Sequence, residues 1–204
     1  MKTLLITGFE PFGGEAVNPS WEAVARLPDE IGDWRLEKLR VPVVFGRAGE
    51  TVLARAAEVC PHAIVCVGQA GRRAAITPEL VAINLRYASI PDNAGTQPRD
   101  VPVIAGAPTA YFSTLPVREM AAAAQAAGVE SAVSYSAGAY VCNDLLYTLL
   151  HCRPETPACF VHVPWLPEQA SVGAPSMALD TIVQGLRAMI RALPGGRFSR
   201  QDED

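Results

Sequence analysis

No stretch of this 204-residue chain approaches the ~20 consecutive apolar residues that a membrane-spanning helix needs. Basic residues are outnumbered, 17 Lys and Arg against 21 Asp and Glu, and the net charge is −4. With no basic stripe to meet phosphates, neither nucleic acid nor an anionic membrane surface is expected as a partner. There is no G-x-G-x-x-G, and no lysine follows Gly13-Gly14, so a nucleotide cradle has no support. Cysteines are few and odd in number: Cys60, Cys66, Cys142, Cys152 and Cys159. None are spaced as C-x-x-C or as a zinc knuckle, which argues against a disulfide framework and a metal centre. The apolar run in residues 1–7 is too short for a secretory signal, and no small-residue cleavage site follows it. Reduced thiols in a cytoplasmic setting are the expectation. Internal repeats and low-complexity linkers are also missing, and histidine occurs only three times.

Half of the residues are hydrophobic and 19% are charged, which suits a globular domain with a sizeable core. One domain is expected over residues 1–198, followed by a polar, frayed tail over 199–204. Residues 4–6 and 63–67 read as buried strands, 36–44 as another strand, and 158–163 as the last. The segment 80–84 reads as a further extended piece, and Ala132-Val133 as the end of a strand leading to Cys142. Apolar residues at helical spacing place helices over 48–59, 117–127 and 177–193, with a short one at Trp21, Val24 and Leu27 capped by Ser20. Residues 90–108, rich in Pro, Asp, Gly and Asn, form a long loop. Short apolar strands separated by amphipathic helices predict a single-domain α/β/α sandwich: a mostly parallel twisted sheet with helices on both faces. In such sheets active residues gather at the carboxyl ends of strands.

Chemistry concentrates at Cys142. It follows small residues and opens the helical pattern Leu145, Leu146, Leu149, Leu150. A thiol at a helix N-terminus sits beside unpaired N–H groups and the positive end of the helix dipole, which favour the nucleophilic thiolate. The bland reading, a small buried hydrophobe, suits Cys66 and Cys159, which lie inside apolar strands. Of the histidines, His62 precedes a strand and reads as solvent-facing, and His151 beside Arg153 complements a helix C-terminus. His162 ends an apolar strand on the proposed active edge, which marks it as the base rather than a core histidine. Glu79 stands in an apolar setting where a charge is costly without a partner, whereas Glu119, Glu130 and Glu155 read as solvated surface. Cys142, His162 and Glu79 thus form a candidate set of nucleophile, base and orienting acid.

These residues sit in motifs that resemble the pyroglutamyl peptidase I family (pyrrolidone-carboxylate peptidases) of cysteine peptidases. The motifs run in order along nearly the whole chain. Gly8-Phe9-Glu10-Pro11-Phe12-Gly13-Gly14 and Asn18-Pro19-Ser20 come first, followed by Val67-Gly68-Gln69-Ala70-Gly71, Ile76-Thr77-Pro78-Glu79 and Ala82-Ile83-Asn84. Ile90-Pro91-Asp92-Asn93-x-Gly95, Ser134-x-x-Ala137-Gly138-x-Tyr140-Val141-Cys142-Asn143 and Val161-His162-Val163-Pro164-x-x-Pro167-Glu168-Gln169 complete them. The resemblance implies a Glu79–Cys142–His162 triad, a substrate pocket lined by Phe9, Phe12, Gln69, Tyr140 and Val141, and a homo-oligomer, dimer or tetramer. It implies peptide substrates with an N-terminal pyroglutamate, hydrolysed through a thioester acyl-enzyme without metal or cofactor. Phe9 and Phe12 suit a flat, neutral lactam as walls, and Gly13 and Gly14 would let their loop approach a ligand closely.

Three positions depart from the family pattern. Leu80 replaces a basic residue after Glu79, Ser89 replaces an arginine before Ile90, and Gly71-Arg72-Arg73 stands where Gly-Gly-Arg is usual. Positive charge near the site must then be absent or come from Arg72, Arg73 or Arg86. The alternative these changes raise is a member that binds pyroglutamyl termini but turns them over weakly.

Overall fold

The structure, a computed structural model, describes residues 1–194. Its elements are β1 (Lys2–Phe9), α1 (Pro19–Arg26), β2 (Glu30–Ile31), β3 (Trp34–Val41), α2 (Arg47–Val59), β4 (Ala63–Gln69), β5 (Thr77–Glu79), β6 (Val81–Ile83), β7 (Ala110–Phe112), α3 (Val117–Ala126), α4 (Val141–Cys152), β8 (Ala158–Val163) and α5 (Leu179–Arg191). The expected domain end at residue 198 and the polar tail over 199–204 lie outside the described residues.

Strands with apolar residues on both faces need cover on both sides, and the central sheet has it. Its order is β2-β3-β1-β4-β8-β5, with β3, β1, β4 and β8 parallel and the two edges, β2 and β5, antiparallel. Alternation along β1 sends Leu4 and Ile6 to one face and Leu5 and Phe9 to the other. On the first face, Val24 of α1, Met120 of α3 and Ile182, Leu186 and Ile190 of α5 cover the sheet. Val52 of α2 and Leu145, Leu146 and Leu149 of α4 cover the second. The mostly parallel α/β/α architecture read from the sequence is present.

Three local expectations change. Asn18, not Ser20, caps α1: its Oδ1 accepts from Ser20 N at 3.1 Å, while Ser20 Oγ accepts from Phe9 N at 2.9 Å. Ala132-Val133 forms no strand. The segment meets β5 only through isolated bridges, Ile76 to Ser131 and Glu79 to Ser134. The extended piece over 80–84 is present as Val81–Ile83 but lies outside the central sheet: the chain leaves that sheet after Glu79, and Val81–Ile83 pairs with β7 in a separate ribbon. Asn143 explains that departure. Its side chain accepts from Ile83 N at 2.9 Å and donates to Ile83 O and Leu85 O at 2.9 and 3.0 Å, pinning the ribbon to the first turn of α4.

Candidate active site

Cys142 is the second residue of α4 and is half-buried at the wall of a cavity of about 310 Å³. Among the described residues, the N–H groups of Val141, Cys142 and Asn143 donate to no backbone carbonyl, as expected for a first turn. The thiol comes close to the end of β4 at Gly68. A Cβ built on Gly68 would stand 3.1 Å from Cys142 Sγ and 2.5 Å from the Phe160 ring, so only glycine leaves room. His162 lies opposite Gly68 on β8 and lines the same cavity. Antiparallel β5 passes on the other side of β8 and carries Glu79, fully buried, so that Glu79 Oε1 stands 2.6 Å from His162 Nδ1. The Phe160 ring, 4.7 Å from that of His162, supports the imidazole.

Burial alone would raise the Glu79 pKa. Its hydrogen bond and charge contact with His162, together with Ser134 and Arg73, hold it below the usual carboxylate range. Desolvation lowers the His162 pKa despite Glu79, and Arg73 adds to the effect. At neutral pH the pair is therefore a carboxylate and a neutral imidazole. The carboxylate can only accept, so Nδ1 carries the proton and Nε2 keeps its lone pair. The thiol departs from expectation. Burial pushes it up to about 12, Glu79 and Cys66 add to the rise, and Arg73 and the Cys142 backbone N–H oppose it. The helix terminus acts in the expected direction, but desolvation outweighs it. Cys142 therefore rests as a thiol, and only a base can make it a nucleophile.

All five residues expected in the substrate pocket line this one cavity: Phe9, Phe12, Gln69, Tyr140 and Val141. Phe12 and Tyr140 rings lie 6.1 Å apart, Phe45 meets Tyr140 edge-on at 5.3 Å, and Tyr140 Oη donates to Pro91 O at 3.0 Å. Gly13 and Gly14 earn their place through positive φ, +65° and +85°; no side chain or backbone crowds Gly14 within 4 Å. His151 is occupied elsewhere, with Nδ1 2.8 Å from Tyr111 Oη and its ring stacked on Tyr147. His62 is exposed, and its Nδ1 accepts from Thr3 N at 3.1 Å. Glu119, Glu130 and Glu155 are exposed.

The sequence left the source of positive charge open among three arginines; the structure brings one to the site. Arg73 lines the cavity, and its Nη1 lies 2.7 Å from Glu79 Oε1 and 2.5 Å from Thr77 Oγ1. Arg86 instead pairs with Asp144, whose other oxygen accepts from Gly46 N at 2.7 Å. Arg72 and Ser89 are exposed, and Leu80 packs against the core. The lining also includes Asn18, Val43, Ala70, Ser136, Ala137 and Gly138. Asn18 and the Ala137-Gly138 pair fall inside the sequence motifs, but nothing in their residue types assigns them to a cavity. Among the described residues no group of three or more His, Cys, Asp or Glu side chains is placed to hold a metal ion.

Known proteins are similar to this chain in sequence and fold. The profile of the family described as pyroglutamyl peptidase matches residues 1–194. The pyrrolidone-carboxylate peptidase of Escherichia fergusonii is 48% identical over 200 residues, covering 95% of this chain and 94% of the relative. That of Thermococcus onnurineus is 48% identical over 193 residues, covering 92% of this chain and 96% of the relative. The crystal structure of Bacillus amyloliquefaciens pyroglutamyl peptidase I superposes with a TM-score of 0.90 at 43% identity, covering 94% of this chain and 96% of that one. A buried Glu–His pair beside a cysteine, in a chain matched from end to end of its described residues, places this protein in the pyroglutamyl peptidase family of cysteine peptidases.

Proposed function

We propose that this chain removes an N-terminal L-pyroglutamyl residue from peptides, with Cys142 as nucleophile, His162 as base and Glu79 as the orienting acid. The observation that carries the reading is the 2.6 Å contact between Glu79 and His162 at the wall that also holds Cys142. His162 Nε2 takes the thiol proton as Sγ attacks the carbonyl joining pyroglutamate to the next residue. The developing oxyanion accepts from the first-turn N–H groups of α4. His162 returns the proton to the leaving amine, the C–N bond breaks, and a thioester remains. Water attacks that thioester, again giving its proton to His162, and the thiol leaves with it. Glu79 stabilises the imidazolium at each stage. Because burial pushes the resting thiol up, the attack needs His162 to take the Sγ proton.

Phe9, Phe12 and Tyr140 supply flat apolar walls for the lactam ring, and Gln69 a polar group at its edge. The weak-binder alternative has no observation in its favour, since Ser89 and Leu80 stand outside the cavity lining. The reading extends to a cytoplasmic homo-oligomer, supported by five free cysteines and by exposed Phe112 and Val101. No helix among the described residues is long and apolar enough to cross a membrane. The test is release of a fluorophore from an L-pyroglutamyl amide, with and without iodoacetamide. A prolyl amide, which lacks the ring carbonyl and carries a charged amine, should be poorer by several orders of magnitude. Comparable kcat/KM for the two would contradict the pocket, and light scattering would test the oligomer.

A further inference from the structure

Gln169, in the turn after β8, has no place in the chemistry above, yet its side chain is tied at both ends. Its Oε1 accepts from Leu166 N at 3.1 Å, and its backbone N donates to Leu166 O at 3.0 Å. The amide therefore has one orientation, with Nε2 on the far side. There Nε2 faces three acceptors at 3.3 Å: Glu15 Oε2, Val17 O and Gln69 Oε1. The first two can only accept, so a flipped Gln169 amide would set oxygen against oxygen and leave Leu166 N facing a donor. A fixed donor at Gln169 in turn fixes Gln69. The Gln69 oxygen turns toward Gln169, and among the described residues its Nε2 has no acceptor, in a residue that lines the cavity.

We infer that Gln169 is a positioning residue for substrate recognition: it locks the Gln69 amide so that an N–H donor, not a carbonyl, is presented to the ring carbonyl of the lactam. This rests on the proposed activity. Without Gln169 the Gln69 amide can rotate by half a turn at little cost, and half of its orientations then oppose two oxygens. Because Glu15 and Val17 share the same Nε2, Gln169 also ties the loop carrying Phe12 to the β4 side of the cavity. The effect falls on binding of the ring and leaves the Cys142–His162 proton transfer alone.

The probe is 2-pyrrolidinone, the bare lactam, measured as a competitive inhibitor of L-pyroglutamyl-amide hydrolysis alongside KM and kcat. Gln169→Met keeps the side-chain volume and removes both amide groups. Its Ki for 2-pyrrolidinone and its KM should rise together, by roughly five- to fiftyfold for one misoriented hydrogen bond. Its kcat and the pH dependence of kcat should stay near wild type. Gln69→Glu provides an arm that leaves Gln169 untouched: it keeps an acceptor toward Gln169 and replaces the cavity donor by an acceptor, so Ki should rise at least as far. An unchanged Ki in either variant, or a fall in kcat with Ki unchanged, overturns the inference. A wild type that releases no fluorophore would sink the activity itself; an active wild type matched by Gln169→Met in Ki would sink only the role of Gln169.

Discussion

Arg73 and His162 share one atom of the buried Glu79 carboxylate: Nη1 of the first lies 2.7 Å, and Nδ1 of the second 2.6 Å, from Glu79 Oε1. The guanidinium thereby helps to keep Glu79 ionised, lowers the His162 pKa and opposes the rise at Cys142. The last two shifts keep His162 unprotonated and ease ionisation of the thiol, whereas the ionised Glu79 acts the other way, raising both His162 and Cys142.

Arg73→Met should therefore reduce kcat/KM by about 1–3 kcal/mol of transition-state stabilisation, the range for a hydrogen bond to a charged group. With the guanidinium gone His162 protonates more readily, so the acidic limb of kcat/KM should move to higher pH. A loss of activity with an unmoved acidic limb would mean that Arg73 only supports the local fold.

The cysteines differ enough in exposure to be told apart. Cys60 and Cys152 are exposed, whereas Cys66 and Cys159 are fully buried with thiols pushed far up by desolvation. Iodoacetamide should label Cys60 and Cys152 without effect, label Cys142 with loss of activity, and spare Cys66 and Cys159. Cys142→Ser should be folded and inactive. His162→Ala should be nearly as inactive, with Cys142 labelling slowed at neutral pH, because the thiol has lost its proton acceptor. Glu79→Gln should lose on the order of 10²–10⁴ in kcat. Peptide mapping after partial inactivation decides; an inactivating label elsewhere would remove Cys142 from the mechanism.

The sheet and its helices could be read from the chain because each rests on local pattern, as does the place of Cys142 at a helix start. Buried strands such as 63–67 are apolar throughout, and Cys142 precedes a regular run of leucines. What could not be read depends on long-range geometry. β5 contains Pro78 and only three residues, too short for periodicity, yet it delivers Glu79 because β8 offers an edge for antiparallel pairing. The Ala132-Val133 run has strand composition but only bridges to that same short edge. Arginine is long and flexible, so residue spacing cannot say which of Arg72, Arg73 and Arg86 reaches Glu79. The protonated thiol has a related cause: a helix terminus is local and visible in sequence, but the desolvation that exceeds it comes from burial in the folded chain.

Stability should fall on acidification in two stages. Both His162 and Glu79 have folded pKa values below their ordinary ones, about 6.5 and 4.5. Below each ordinary value the unfolded chain binds a proton that the folded chain resists, so stability is lost as pH falls toward the folded value. Denaturant midpoints should hold above about pH 6.5, decline below it through His162, and decline further below about 4.5 through Glu79. In Glu79→Gln the lower stage should shrink. A midpoint that rises between pH 6.5 and 5 would contradict the neutral state assigned to buried His162.

Gly68→Ala tests the close approach of the Cys142 thiol to the end of β4. The new methyl would stand 2.5 Å from the Phe160 ring and 3.1 Å from Cys142 Sγ, both in packed surroundings. Overpacking of this kind costs about 1–3 kcal/mol, and here it pushes on the two groups that set the reaction geometry. Activity should fall more than stability does. Equal melting temperatures together with wild-type kcat would show that α4 can move away without consequence.

Ser89→Arg asks whether the charge usually found before Ile90 is missing or has simply been provided by Arg73. Ser89 is exposed, its carbonyl accepts from Gln97 Nε2 at 3.0 Å, and its side chain lies outside the cavity lining. An arginine there enters water, where its field at Cys142 is screened, so kcat/KM should change by less than about threefold. Arg86→Ala should behave differently again. Asp144 is fully buried, and losing its partner leaves a carboxylate held by Gly46 N alone, at a cost of about 3 kcal/mol in stability. Because Asp144 lies in the first turn of α4, that damage should appear as a lower melting temperature, with an acidic limb where it was. A strong rise in kcat/KM for Ser89→Arg, with its acidic limb displaced to lower pH, would show that Arg73 does not supply the charge in full.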